Sequence, residues 1–248
     1  MHFLEPKKIT KLIKLETSYL DIADGYLFAS PFMIDLLSKN KPIVVSYGSY
    51  KVASSIKKNN SNKIHIVYSG VIENLRKAAF LVANSALFLS NDYVIHIAGY
   101  GTNENVKEFK DVCVRINEKL GYEAVMFHGL LIGKEFDNLL NSCDISINAH
   151  MYSEEDLWKS KYSFPSKIPL NMGYDLYLVS HNMELVSSSP FAEFTSFFSE
   201  FNPQAVAEAI KKCAIKSKLI NSNRTPKDLI RDLDVAFVKN IKSLFDSI

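Results

Sequence analysis

One pattern recurs along the middle of this chain: a short apolar run that ends in glycine or a small polar residue, followed by a stretch with helical periodicity. The runs cover residues 63–70, 94–101, 125–129 and 143–148. Strands that alternate with helices form parallel sheets with helices on both faces, and ligands bind where the carboxyl ends of the strands meet. The sequence therefore predicts an α/β fold with a doubly wound, Rossmann-like parallel sheet.

The helical stretches are marked by apolar spacing and by their end residues. Over residues 103–120, Val106, Phe109 and Cys113 follow one another at three- and four-residue spacing, and Gly121 supplies the stop. Similar patterns predict a core helix over residues 78–89, a shorter helix after Gly133, and two further helices over residues 204–219 and 226–245.

The N-terminal part has its own short elements. Residues 9–24 have the spacing of an amphipathic helix, residues 26–29 and 42–46 are strand-like, and residues 32–38 predict a helix between them. The polar stretch over residues 57–63 is the best boundary signal. We therefore expect a partial α/β segment in residues 1–56, a main domain in residues 57–224, and a terminal helix in residues 225–248.

Composition excludes several classes of function. Hydrophobic residues make up 47% of the chain and charged residues 23%, as in ordinary globular proteins. The 29 basic and 27 acidic residues give a net charge of +2, which provides no field for capturing nucleic acid. The three cysteines have no metal-binding or disulfide spacing, and no segment has signal-peptide or membrane-spanning character. We expect a cytoplasmic protein without a metal or a nucleic-acid partner.

The segment Phe164-Pro165-Ser166-Lys167-Ile168 lies between two strand-like runs, residues 144–149 and 176–180. A Pro-Ser-Lys step that opens a helix presents backbone N–H groups, a hydroxyl and an ammonium to an anion. The segment therefore predicts a phosphate site.

The order of these motifs resembles the donor-binding half of GT-B glycosyltransferases, especially family 4 and its relatives in bacterial surface-polysaccharide synthesis. The resemblance covers roughly residues 41–214. It implies a nucleotide-diphosphate sugar as donor, no cofactor, and a glycan or lipid-linked acceptor. It also implies retention of configuration and a site that works without a metal.

Candidate donor-binding residues follow from the resemblance. Glycines at strand ends and basic residues in the following helix meet the diphosphate, the loop after the third strand reads the base, and the Pro-Ser-Lys step neutralises the leaving nucleotide. The candidates here are Gly70, Arg76, Lys77, Gly99, His128, Gly129, Leu130, Ser166, Lys167 and Ile168. We expect Gly99 and Gly101 to form a turn rather than to bind the ligand, and we assign no catalytic residue.

The chain also departs from the family pattern. Two positions that carry glutamate in family 4 are Tyr162 and Leu170 here, and neither provides a carboxylate for the ribose hydroxyls. Asp175 and Tyr177 stand where the family has glycine and proline. The acidic run over residues 154–156 offers a substitute carboxylate or is a solvated loop.

Three functions follow from these observations. The first is a glycosyltransferase whose acceptor half is largely missing, which is either supplied by a separate chain or lost in a truncated remnant. The second is a non-catalytic nucleotide-sugar-binding or scaffold subunit. The third, a Rossmann oxidoreductase, is disfavoured because no G-x-G-x-x-G opens a helix. The basic residues Lys7, Lys8, Lys11 and Lys14 form either the solvent-exposed face of a helix or a surface that contacts the inner face of the membrane.

Overall fold

The computed structural model describes residues 18–20, 22–37, 41–54, 61–73, 77–150, 161–219 and 224–247. Most of the helix predicted over residues 9–24, the basic run at Lys7 to Lys14 and the acidic run at residues 154–156 lie outside these ranges.

In the part of the chain that the structure describes, eight strands form two parallel sheets. The small sheet pairs β1 (Tyr26–Phe28) with β2 (Ile43–Val45), which a 3₁₀ turn over Pro31–Leu36 connects. The large sheet contains β3 (Ile64–Ile72), β4 (Tyr93–Gly101), β5 (Val125–Gly129), β6 (Ile145–Asn148), β7 (Tyr177–His181) and β8 (Thr195–Phe198). Its strand order is β5-β4-β3-β6-β7-β8, and every pair is parallel.

Seven α-helices are present in the described residues. They are α1 (Ala78–Ser85), α2 (Asn103–Leu120), α3 (Gly133–Asn141), α4 (Lys167–Met172), α5 (Glu184–Ser187), α6 (Pro203–Leu219) and α7 (Pro226–Asp246). The prediction of a doubly wound parallel sheet is confirmed. The helix predicted over residues 32–38 is the 3₁₀ turn, and β8 was not predicted.

Local signals explain where the long helices begin and end. Thr102 caps α2 by accepting a hydrogen bond from the Asn105 N–H, and Gly121 ends it in the left-handed conformation. Thr225 and Asp228 form a capping box at the start of α7, with Pro226 in its first turn. These features are encoded locally, which is why the ranges of both helices and the stop at Gly121 could be predicted from the sequence.

The core lies on both faces of the large sheet. Residues that alternate along β3, such as Ile66 and Tyr68, pack into a large apolar cluster with α1, α2 and α6. Val67 points to the other face, where a smaller cluster includes Leu139 and Leu140 of α3. Burial on both faces is typical of a doubly wound sheet.

The chain crosses the sheet once between its two halves. It runs outward from β3 through β4 to β5, and then returns to β6 beside β3 before it continues to β8. The strand order therefore reverses between β3 and β6, and sheets of this kind bind ligands at the carboxyl ends of the strands beside such a reversal.

The C-terminal helix α7 contacts both sheets. Near its start, the Lys227 amine donates to the Ala53 carbonyl oxygen over 3.0 Å, and the Phe237 ring lies 6.0 Å from the Tyr50 ring, centroid to centroid. Near its end, Leu244 lies against Gly25 beside β1. The division of the chain into the three segments expected from the sequence stays a prediction.

Candidate functional site

A cavity of about 270 Å³ lies at the carboxyl ends of β3 and β4. Its lining residues come from two strands, β3 and β4, and from the loop after β5, α3 and α4: Ser69, Gly70, Val71, Ala98, Gly99, Tyr100, Leu130, Leu131, Phe136 and Lys167. The cavity thus combines an apolar floor with the ammonium group of Lys167.

A second cavity of about 320 Å³ adjoins the first at the carboxyl ends of β4 and β5. The two cavities share Gly99, Tyr100 and Leu130. The residues that line only the second cavity are Gly101, Val106, Lys110, Phe127, His128 and Gly129. We call the two cavities together the crevice. Six of the residues singled out from the sequence line it: Gly70, Gly99, His128, Gly129, Leu130 and Lys167.

Lys167 reaches across the point where the strand order reverses. It is the first residue of α4, which follows β6, and its Nζ donates a hydrogen bond to the Ser69 carbonyl oxygen of β3 over 2.7 Å. Desolvation of the ammonium lowers the pKa of Lys167 from its usual value. An ammonium has three protons, and one bond to a carbonyl leaves the others for an anion.

The expectation that Gly99 and Gly101 form a turn is wrong. Both residues are part of β4, where they pair with Gly70 and Ile72 of β3. A Cβ on Gly99 would overlap the Gly70 carbonyl oxygen, and a Cβ on Gly101 would overlap the Ile72 carbonyl oxygen. These glycines are therefore required by close strand packing, and they leave the end of the sheet without side chains.

Gly129 differs from them because it does adopt a positive φ, 71°, at the end of β5. No atom lies within 4 Å of the position that a Cβ would take, so the backbone conformation alone favours glycine here. The turn directs Leu130 into the crevice.

Other candidate residues are placed outside the described lining of the crevice. Ser166 is exposed and precedes the first residue of α4, while the Ile168 side chain is fully buried and its N–H donates to the Pro165 carbonyl oxygen over 3.0 Å. Lys77 is exposed and precedes α1. Arg76 lies outside the described residues. Among the described residues, the charged side chains that line the crevice are therefore Lys167 in the first cavity and Lys110 in the second.

The positions that depart from family 4 are both half-buried. Leu170 packs against the smaller apolar cluster, and the Lys161 amine lies over the Tyr162 ring, 5.4 Å from its centroid. Neither side chain can accept hydrogen bonds from ribose as a carboxylate does.

His128 is half-buried, and sequence reasoning did not find the polar residues beside it. His65 and His96 occupy β3 and β4, and His96 lies between the other two imidazoles. The sequence does show one histidine in each of three consecutive apolar runs. Whether these histidines contact one another depends on which strands are neighbours and in what register they pair.

Within the described residues, no cluster of three or more histidine, cysteine or carboxylate side chains could hold a metal ion. In the same part of the chain, no helix combines the length and the apolar character needed to cross a bilayer.

No protein-family model matches the sequence, and no curated protein matches it. Solved structures match it in fold. HepE of Anabaena, solved with UDP and glucose, is 13% identical with a TM-score of 0.65, over 100% of this chain and 70% of HepE. The chain has the GT-B fold.

Two further structures share this fold. A glycosyltransferase from Rickettsia africae is 12% identical with a TM-score of 0.60, over 100% of this chain and 68% of that one. The lipopolysaccharide outer core galactosyltransferase WaaB is 16% identical with a TM-score of 0.59, over 91% of this chain and 62% of that one. This GT-B chain thus corresponds to about two thirds of the length of these structures.

Proposed function

We propose that the crevice binds a nucleoside-diphosphate sugar and that the chain acts in glycosyl transfer to a glycan or lipid-linked acceptor of surface polysaccharide synthesis. The observation that carries the proposal is the position of Lys167, which lines one cavity with Gly70 and Gly99 at the switch point of the sheet. A diphosphate needs a cation and close backbone approach, and both are present there.

The base would occupy the second cavity. Its lining offers the Leu130 side chain for packing on a ring and the exposed backbone of Gly129 for hydrogen bonds. The two cavities meet at Gly99 and Tyr100, so one extended ligand could fill both. HepE, which has the same fold, was solved with UDP, and uridine nucleotides are therefore the first ligands to test.

The finer features of the proposal come from the family resemblance. They are retention of configuration, transfer without a metal, a cytoplasmic location at the membrane, and a second chain that supplies acceptor-binding residues. WaaB acts on the lipopolysaccharide outer core, which supports a surface glycan as acceptor. The anomeric configuration of the product and the activity in a chelator would test the first two features.

The decisive test is calorimetry with UDP-, GDP- and ADP-sugars. Replacing Lys167 with alanine removes a charged donor to the diphosphate, and we expect the affinity of the bound nucleotide sugar to fall at least about tenfold. Lys216→Ala is the matched control. Its amine also donates to a strand carbonyl, that of Thr195, and desolvation also lowers its pKa, but it lies on α6 outside the lining of the crevice.

Equal affinities of the wild type and Lys167→Ala would contradict the proposed role of Lys167. A wild-type chain that binds none of the donors would contradict the proposed function itself. Binding followed by slow hydrolysis of the donor would support a transferase, because water then replaces the acceptor.

A further inference from the structure

Three imidazole rings form a continuous hydrogen-bonded row across the large sheet. His65 Nδ1 lies 2.8 Å from His96 Nε2, and His96 Nδ1 lies 3.0 Å from His128 Nε2. The rings are also stacked, with centroids 5.1 Å apart in the first pair and 5.2 Å in the second, at interplanar angles of 23° and 24°. We call this row the histidine ladder.

The register of the strands produces the ladder. His65 pairs with Val94, and His96 therefore lies two residues further along β4 on the same face. His96 in turn pairs with Met126, two residues before His128. Such diagonal neighbours are within reach of long side chains. The ladder thus runs obliquely from the amino end of β3 to the carboxyl end of β5.

A β-bulge places the last ring at the crevice. Ile97 pairs with Phe127 and Ala98 with Gly129, which leaves His128 as the extra residue of β5. Bulges redirect side chains and are common next to binding sites. The bulge therefore lets His128 contact His96 while it also lines the second cavity.

The ladder restricts where its protons can be. A neutral imidazole has one proton, and each of the two contacts between rings holds one proton. If His96 donates from Nδ1, then His65 donates from Nδ1 and His128 has its proton on Nδ1. If His96 donates from Nε2, the direction of both bonds reverses and His128 Nδ1 has no proton. Only these two arrangements satisfy both contacts with three neutral rings.

The rings are neutral near pH 7. Burial, followed by the proximity of His128 and His65, lowers the pKa of His96 to about 4. Desolvation lowers the pKa of the outer rings as well, against the opposing effect of Asp144 on His65 and of Glu123 on His128. Lys63 lowers the pKa of His65 further. The two-arrangement rule therefore applies under ordinary conditions.

We propose that one of these two arrangements predominates, so that His65 and His96 act as positioning residues that hold His128 in a single tautomer and thereby set whether its Nδ1 donates to or accepts from a polar group of the base in the second cavity. The presence of a base in the second cavity rests on the proposed function, whereas the tautomer of His128 does not depend on it. A base edge presents fixed donors and acceptors, and a ring held in one tautomer discriminates between them. The ladder would then make His128 a determinant of base specificity.

Nitrogen-15 spectra of the full-length chain, labelled at histidine and free of ligand, test the tautomer directly. In the wild type we expect His128 to show one protonated and one unprotonated ring nitrogen. In His96→Phe we expect the two shifts to move toward each other as the tautomers average. His65→Phe breaks the other contact and serves as a second variant in case His96→Phe does not fold.

His181→Phe is the matched control. It removes a half-buried imidazole from β7, where the ring stacks on Phe201, and we expect the His128 spectrum to stay unchanged. Titration of the same variants with UDP then measures the consequence for binding. Loss of one well-oriented hydrogen bond should weaken UDP about two- to tenfold in His96→Phe.

An averaged His128 spectrum in the wild type, or an unchanged one in both ladder variants, would overturn the proposal. If the His128 tautomers average in the variants but the affinity for UDP does not change, the claim that His128 determines base specificity would be overturned. A wild type that binds no nucleotide would count against the proposed function alone, because the spectra are recorded without ligand.

Discussion

The two halves of the large sheet end differently. The carboxyl ends of β3, β4 and β5 carry Gly70, Gly99 and Gly129, and the crevice lies above them. At the ends of β7 and β8, aromatic rings occupy the corresponding space, with the His181 ring 4.3 Å from Phe201 and 5.7 Å from Phe198. A cavity of about 430 Å³ also lies beside β8, so the two ends differ in the side chains that they carry: glycines at what we call the open end, and buried aromatic rings at what we call the packed end.

The comparison implies that equivalent truncations act on different properties. A side chain removed from the packed end costs stability, because its neighbours lose contacts. One removed from the open end costs ligand affinity, because little of it is buried in the folded chain. The following predictions test this separation.

The largest effect on stability is expected at the packed end. Phe198 is 4% exposed, and its replacement by alanine should lower the free energy of unfolding by about 3–5 kcal/mol. Leu130, which is 62% exposed at the open end, provides the control: Leu130→Ala should cost less than about 1 kcal/mol. Denaturant unfolding measures both. Equal losses in the two variants would refute the separation.

A smaller loss of stability is expected at Gly99, where β4 packs closely against β3. Gly99→Ala should lower the free energy of unfolding by about 2–3 kcal/mol, because its methyl group overlaps a backbone carbonyl that cannot rotate away. Gly70→Ala is the matched variant on the paired strand. Its methyl group meets the hydroxyl and two ring carbons of Tyr68, which belong to a side chain rather than to the backbone, so we expect a smaller loss. The reverse order in urea unfolding would contradict this account.

Acid should destabilise the open half through the histidine ladder. The folded-state pKa of His96 is about 4 against an ordinary value of 6.5, so the unfolded chain binds a proton first as the pH falls. The corresponding stability is fully present above pH 6.5 and is lost between pH 6.5 and 4, by about 2 kcal/mol at pH 4.5.

His96→Phe isolates this contribution from that of carboxylates, which also titrate in acid. The wild type should lose more free energy of unfolding between pH 7 and pH 4.5 than the variant does. Parallel curves for the two proteins in denaturant titrations at several pH values would show that His96 has no such role.

Locally encoded elements were predictable from the sequence. The helix α2 was predicted with its bounds because the apolar spacing and Gly121 lie within or next to it. β8 was missed because its apolar run merges with the preceding aromatic turn over Pro190–Phe194, so the sequence shows no boundary between them. Short strands depend on pairing, which the sequence does not display.

The site was predictable in part for the same reason. Lys167 could be singled out from its own neighbours, but its bond to the Ser69 carbonyl joins residues 98 positions apart. Gly99 was assigned to a turn because glycine favours both turns and close packing, and only the facing Gly70 carbonyl distinguishes them. The histidine ladder requires the register of three strands. Its residues were visible in the sequence, and their relation was not.

The C-terminal helix has a mechanical consequence. With a rise of about 1.5 Å per residue, the 21 residues of α7 form a helix about 30 Å long. Near its start Lys227 donates a hydrogen bond to the Ala53 carbonyl, and near its end Leu244 contacts Gly25 beside the small sheet. Because Leu229 and Ile230 belong to the core of the large sheet and the same helix also contacts β2, a rotation of the small sheet against the large one would have to bend or shift this helix.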